Sequence, residues 1–135
     1  MSTSLLYHGF GIRGYYYVNT DYLKGQILFR IKHDFWKLNC PDCNGRNFNK
    51  KGTVTRRFKT LPIGKKEVFI ELPVQWVECL SCQKVKQVKL GFAKENCSYT
   101  HSFERYAVDL CRLLPISYVA KLLKVSWGTI KEIEK

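Results

Sequence analysis

Two short stretches decide how this sequence is read: Cys40-Pro41-Asp42-Cys43 and Cys79-Leu80-Ser81-Cys82. Two residues between cysteines let one tight turn aim both sulfurs at a single point. Backbone amides in such a turn can hydrogen-bond the sulfurs and tune them. Asn44 and Gly45 follow the first pair, and both tolerate the left-handed backbone that a knuckle of this kind needs. Two knuckles brought together by a β-sheet give tetrahedral sulfur coordination, which suits zinc. Cys40, Cys43, Cys79 and Cys82 are therefore the candidate ligands of one structural zinc ion per chain. Four thiolates fill the coordination sphere and leave no open position for a catalytic water, so the metal is expected to hold the fold rather than do chemistry. A thioredoxin-like redox pair would need a βαβ context, which is absent here.

The pairs are separated by 35 residues, more than the roughly 15 to 20 of the common four-cysteine spacing. Strands between the knuckles account for the excess. Val54 to Lys59, Val68 to Leu72 and Val74 to Val77 read as strands, with Leu61-Pro62-Ile63-Gly64 as a turn and Pro73 at an edge or bulge. The arrangement is a zinc ribbon. Upstream, Tyr15 to Val18 are strand formers, and Lys24-Gly25 separates Asp21-Tyr22-Leu23 from a run in which Ile27, Phe29 and Ile31 alternate with Gln26, Leu28, Arg30 and Lys32. Gly9, Gly11 and Gly14 lack phosphate-loop spacing and read as turn glycines. His33, Cys97, His101 and Cys111 are the candidates for a second metal site, but Cys97, His101 and Cys111 have no regular ligand spacing, and Cys111 falls on the apolar side of a helical segment.

The remaining composition limits the function. The chain has 135 residues and a net charge of +12, from 23 basic and 11 acidic side chains. Such an excess on so short a chain points to a polyanion, nucleic acid first. No apolar run reaches the roughly 18 residues of a membrane helix, and the start of the chain lacks a signal peptide's pattern, so a soluble, intracellular protein is expected. Charge divides the chain into residues 1–38 at +3, 39–91 at +7 and 92–135 at +2. The expected organisation is α+β: an N-terminal β segment at 1–38, a zinc ribbon at 39–91 and a helical module at 98–135. Eight cations lie between residues 46 and 66 with no acid among them: Arg46, Lys50, Lys51, Arg56, Arg57, Lys59, Lys65 and Lys66. A strip of this kind can follow a phosphate backbone, whereas a plain Lys-rich sheet surface would only prevent edge pairing.

From His101 the apolar period becomes helical: Phe103, Ala107, Leu110, Leu113 or Leu114, Val119, Leu122, Leu123, Ile130 and Ile133. Within Ile116 to Lys135, Ser117 is a candidate N-cap, Ala120 is small enough for close helix packing, Lys124-Val125-Ser126 is a turn plugged by Val125, and Ser126 caps a second helix. Apolar residues at 119, 123, 125, 130 and 133 are the set with which a helix-turn-helix crosses two helices steeply. Lys124 occupies the turn position where Gly is usual; a left-handed Lys is allowed there at some cost. On the free side of the second helix Ser126, Trp127, Gly128, Thr129, Lys131, Glu132 and Lys135 are the candidate DNA contacts. Thr129 suits a phosphate or thymine methyl, Glu132 suits cytosine, and Lys131 and Lys135 suit guanine or phosphate. Trp127 could instead pack on the preceding helix.

The order LYHGFGIRGY, CPDC, a basic stranded insert, CLSC and VAKLLKVSWGTIKEIEK resembles the N-terminal part of insertion-sequence transposases of the ISL-three family. That resemblance implies a DNA-binding region that recognises the terminal inverted repeats of its element, with zinc ligands at Cys40, Cys43, Cys79 and Cys82 and a helix-turn-helix at 116–135. It implies double-stranded DNA as partner, a cytoplasmic, nucleoid-associated location in a prokaryote, no membrane, and room for a homodimer. In the family, a ribonuclease-H-like domain bearing Asp, Asp and Glu follows these modules. Here the four Asp and seven Glu are scattered, so binding without cleavage is expected. A small zinc-ribbon transcription regulator using the same motifs is the alternative, and an RNA-binding ribbon is disfavoured because a helix-turn-helix fits duplex DNA.

Overall fold

The computed structural model describes residues 8–34, 38–41, 43, 45–94 and 97–134. Among the described residues, after helical residues at 8–10, five strands, β1 (Tyr15–Leu23), β2 (Gln26–His33), β3 (Phe48–Ile63), β4 (Lys66–Cys79) and β5 (Val85–Gln87), precede the helices α1 (His101–Cys111), α2 (Ile116–Leu123) and α3 (Trp127–Glu134). The class is α+β, with strands, a four-cysteine cluster and a helical end.

All five strands form one sheet in the order β1-β2-β4-β3, with β5 also on β4. β1 and β2 make an antiparallel hairpin through Lys24-Gly25, where Gly25 takes φ +68°, open to glycine at no steric cost. β2 then runs parallel to the first half of β4, from Gln26 opposite Glu67 to Arg30 opposite Glu71. The N-terminal β segment and the ribbon thus share one sheet and one core.

β3 and β4 are longer than the sequence pattern indicates. They pair antiparallel from Phe48 opposite Cys79 to Ile63 opposite Lys66, and only Gly64-Lys65 makes the turn, with Gly64 at φ +63°. Of the expected turn Leu61-Pro62-Ile63-Gly64 only Gly64 lies in the turn, and Leu61, Pro62 and Ile63 belong to β3. An irregularity between Thr60 and Ile63 absorbs Pro62, which has no N–H to give to a ladder. Pro73 lies inside β4 opposite Thr55. It is tolerated because β2 leaves the other side of β4 at Glu71 and β5 joins only at Trp76, so Pro73 faces a local edge.

Along β4 Val68, Ile70, Leu72 and Val74 are buried and meet Phe58 of β3 and Ile27, Phe29 and Ile31 of β2 in the main core. The segment after β5 closes over it: the Phe92 ring meets Phe58 and Tyr15 edge-on, each at a centroid distance of 5.1 Å. Leu28 is also buried, so β2 is not the half-exposed strand its alternation indicates.

A second core joins Phe103, Ala107, Val119, Ala120, Leu123 and Ile130 of the three helices, with Leu110, Leu114, Val125 and Ile133 packed against it. Leu113 and Leu122 stay exposed, so the apolar stripe is narrower than the sequence suggests. Ser117 is not the cap of α2. The helix begins at Ile116 behind Pro115, whose φ of −61° and missing N–H suit a helix start without a side-chain cap.

Candidate metal centre and nucleic-acid interface

The ends of β3 and β4 remote from their turn carry the cysteines. Cys79 closes β4, and Phe48, which opens β3, stands opposite it. Each knuckle is held by its own backbone: Cys40 N–H donates to Gly45 O at 2.9 Å, Cys79 N–H to Lys84 O at 3.0 Å, and Gln83 N–H to Cys79 O at 2.9 Å. Leu80 N–H donates to Asn47 O at 3.0 Å and ties the knuckles to each other. The left-handed residue of the second knuckle is Gln83, at φ 57°. Gly45 lies against a candidate ligand sulfur. It is glycine for space, since a Cβ there would lie 3.2 Å from Cys43 Sγ. Asp42 and Asn44 lie outside the described residues.

This scaffold brings the four Sγ atoms of Cys40, Cys43, Cys79 and Cys82 within 4.8 Å of one another. Cys40 and Cys82 are 3.5 Å apart, as are Cys43 and Cys79. Tetrahedral Zn–S bonds of about 2.3 Å put sulfurs about 3.8 Å apart, so the donor set fits a metal ion. The Cys82 amide and its neighbours hold the Cys79 thiol down to about 6, while the Cys79 and Cys40 sulfurs push Cys82 up. Holding four thiolates at one point needs a cation among them. Among the described residues no other group of three or more His, Cys, Asp or Glu is placed to ligate one ion.

The eight-cation strip is divided by the sheet. Arg57 reaches Glu71 at 2.9 Å, and Arg30 reaches the same carboxylate at 3.2 Å from the other side and also pairs with Asp21. The middle of the strip is therefore largely charge-compensated. Arg56 lies over the Phe58 ring and donates to Cys97 O at 3.0 Å, and Lys51 pairs with Glu78 at 3.1 Å. Lys59 is turned inward. Its side chain is 12% exposed, its Nζ is 2.8 Å from Glu67, and it donates to Lys124 O at 3.0 Å. Lys59 was a candidate phosphate contact; its burial and two partners make it a tie between sheet and helices. Arg46 and Lys50 are exposed near the knuckles, while Lys65 and Lys66 are exposed at the other end of the hairpin.

In the helical module Ser126 Oγ accepts from Thr129 N–H at 3.1 Å and so caps α3. Ile130 is fully buried, and Gly128, Lys131 and Glu132 are exposed, with Thr129 partly so. Trp127 does not pack away: it is half-exposed, with Lys131 Nζ 4.5 Å from its ring centre. Lys135 lies outside the described residues. Lys124 is left-handed, φ 56° and ψ 44°. The bonds from Val125 N–H to Ala120 O at 3.0 Å and from Lys124 N–H to Lys121 O at 3.4 Å are the pair that ends a helix in a Schellman motif.

Sequence reasoning missed Lys121, exposed on α2, and the structural use of Lys124. Lys121 could have been found from its place just before the turn; the contacts of Lys124 are made to residues some 60 positions away and leave no local signal.

Two family models match the chain. A zinc-finger of transposase IS204/IS1001/IS1096/IS1165 matches residues 37–82, and a helix-turn-helix domain of transposase family ISL3 matches residues 88–135. No curated protein and no solved structure matches it. No helix among the described residues is long and apolar enough to cross a membrane.

Proposed function

We propose, on the premise that this chain belongs to the ISL3 transposases through their zinc ribbon and helix-turn-helix, that it recognises the terminal inverted repeats of its element in duplex DNA. Within this stretch the work is binding and not strand cleavage. The observation that carries the reading is α3: a helix capped by Ser126, anchored by Ile130, with Thr129, Lys131 and Glu132 turned away from the core. Such a helix fits a major groove with its first turns against base edges.

Cys40, Cys43, Cys79 and Cys82 would hold one zinc ion, and a zinc ion supplies folding energy there. The chain's own residues do the rest. Leu80 and Asn47 join the knuckles, the knuckles lock the ends of β3 and β4, and the long hairpin supports the helical module at its other end. Four sulfurs leave the metal no free position for water, which is why no hydrolytic step is assigned to it.

The test is selection from a pool of random duplex DNA, followed by comparison of the enriched sequence with the ends of the element that encodes the chain. Enrichment of the terminal repeat is expected, with Glu132→Ala changing the base preferred at one position. Enrichment of no sequence, or of an internal promoter in place of the ends, overturns the reading. Incubating labelled end DNA with Mg²⁺ should leave it uncut.

A further inference from the structure

The turn of the helix-turn-helix does not hang free; it is stitched to the tip of the β3–β4 hairpin. Lys59 Nζ donates to Lys124 O at 3.0 Å, and Lys124 Nζ donates to Lys65 O at 3.3 Å, so the two lysines bind each other's segments reciprocally. Glu67, 2.8 Å from Lys59 Nζ, neutralises this largely enclosed cation and aims it. The backbone adds a second seam: Lys59 N–H donates to Ser98 O at 2.8 Å, and Thr100 N–H to Lys59 O at 2.9 Å, immediately before α1. Around these bonds Pro62, Gly64, Phe103, Leu122 and Leu123 enclose a cavity of only about 20 Å³. The tip and the turn are therefore joined by side-chain and backbone bonds together.

From this we infer that the hairpin tip is a second DNA-contacting element, held in fixed register with α3 by the Lys59–Lys124 stitch. The proposal rests on the DNA-binding reading above and deepens it. Lys65 and Lys66 stand exposed at the tip, and Lys121 and Lys124 stand exposed on the adjoining helix and turn. The nearest acid on the hairpin, Glu67, is occupied by Lys59. Four cations at one joint beside a recognition helix match the phosphates that border a major groove, and their partner is the duplex backbone. Lys124 stands where glycine would relax the backbone; its side chain and carbonyl both serve the stitch, which gives a reason for a left-handed lysine there. Lys59 and Lys124 are positioning residues, and Lys65 and Lys66 make the contact.

The experiment measures binding of the full chain to a random-sequence duplex of about 30 base pairs at several salt concentrations. Each phosphate contact adds about 0.9 to the slope of log affinity against log salt. Lys65→Gln with Lys66→Gln should lower the slope by about two contacts. Lys59→Met, whose side chain is too enclosed to reach a phosphate, should lower it by a similar amount, and combining all three should add little more. If Lys59→Met fails to fold, Lys124→Gly removes the Lys124 Nζ–Lys65 O half of the stitch while relieving the left-handed backbone, and should by itself lower the slope. A wild-type slope for the tip pair, or for the stitch variants with the fold intact, overturns the inference. Lys131→Gln on α3 is the control: if it and the tip variants all bind like wild type, the DNA-binding reading itself has failed, and if it alone weakens binding, only the tip proposal falls.

Discussion

Thr100 Oγ1 donates to Thr60 Oγ1 at 3.1 Å and accepts from Phe103 N–H at 3.2 Å, so one hydroxyl both caps α1 and fastens it to β3. Thr100 and Thr60 are both buried, at the seam between the sheet core and the helical core. Thr100→Val keeps the shape but removes the cap and leaves Thr60 without this partner. The expected cost is about 1–3 kcal/mol, read from the urea midpoint, while Thr100→Ser should retain most of the stability. A loss in Thr100→Ser with stability kept in Thr100→Val would show that the methyl, not the hydroxyl, matters.

Metal content should be about one zinc per chain and should vanish in Cys79→Ser, with loss of the ribbon fold. Gly45→Ala is subtler. Its new methyl would press on Cys43 Sγ from 3.2 Å, so the sulfur must shift by a few tenths of an ångström, and affinity should fall roughly tenfold, the lower end for a residue that orients a ligand. Competition with a chromogenic chelator measures both.

Ser126 separates stability from binding. Ser126→Ala should cost about 1 kcal/mol through loss of the α3 cap. Ser126→Asp supplies an acceptor and a favourable charge at the helix start, so thermal stability should be kept. The same charge would repel phosphate, and DNA affinity should drop. A variant with intact melting and intact binding would place Ser126 away from the DNA.

His33 is buried beside Tyr15, its ring 5.4 Å away, and its Nε2 accepts from Gln75 N–H at 3.3 Å. Burial lowers its pKa below the ordinary value of 6.5. The unfolded chain therefore binds the proton more readily than the folded one, and this contribution to stability is complete above pH about 6.5 and declines as pH falls below it. His33→Gln, which keeps an acceptor, should show a shallower decline between roughly pH 6.5 and 5. Denaturant midpoints of both proteins across that range isolate the histidine from acid release of metal; parallel curves would show that His33 titrates alike in both states.

What the sequence determined by itself is what local spacing encodes. Two residues between Cys40 and Cys43, and between Cys79 and Cys82, specify a knuckle wherever it sits. The apolar set at 119, 123, 125, 130 and 133 needs only helix geometry to describe a helix-turn-helix, and Ser126 caps through a bond three residues long. The fate of the cations could not be read this way. Arg57 and Lys59 look alike along the chain, yet one is exposed on a carboxylate shared with Arg30 and the other is enclosed under the turn of another module. Which cation stays at the surface depends on partners 8, 14, 41 and 65 residues distant, and only the folded sheet brings these together. The long pairing of β3 with β4 decides the rest: it carries the knuckles at one end and the helix-turn-helix at the other, a distance no local pattern records.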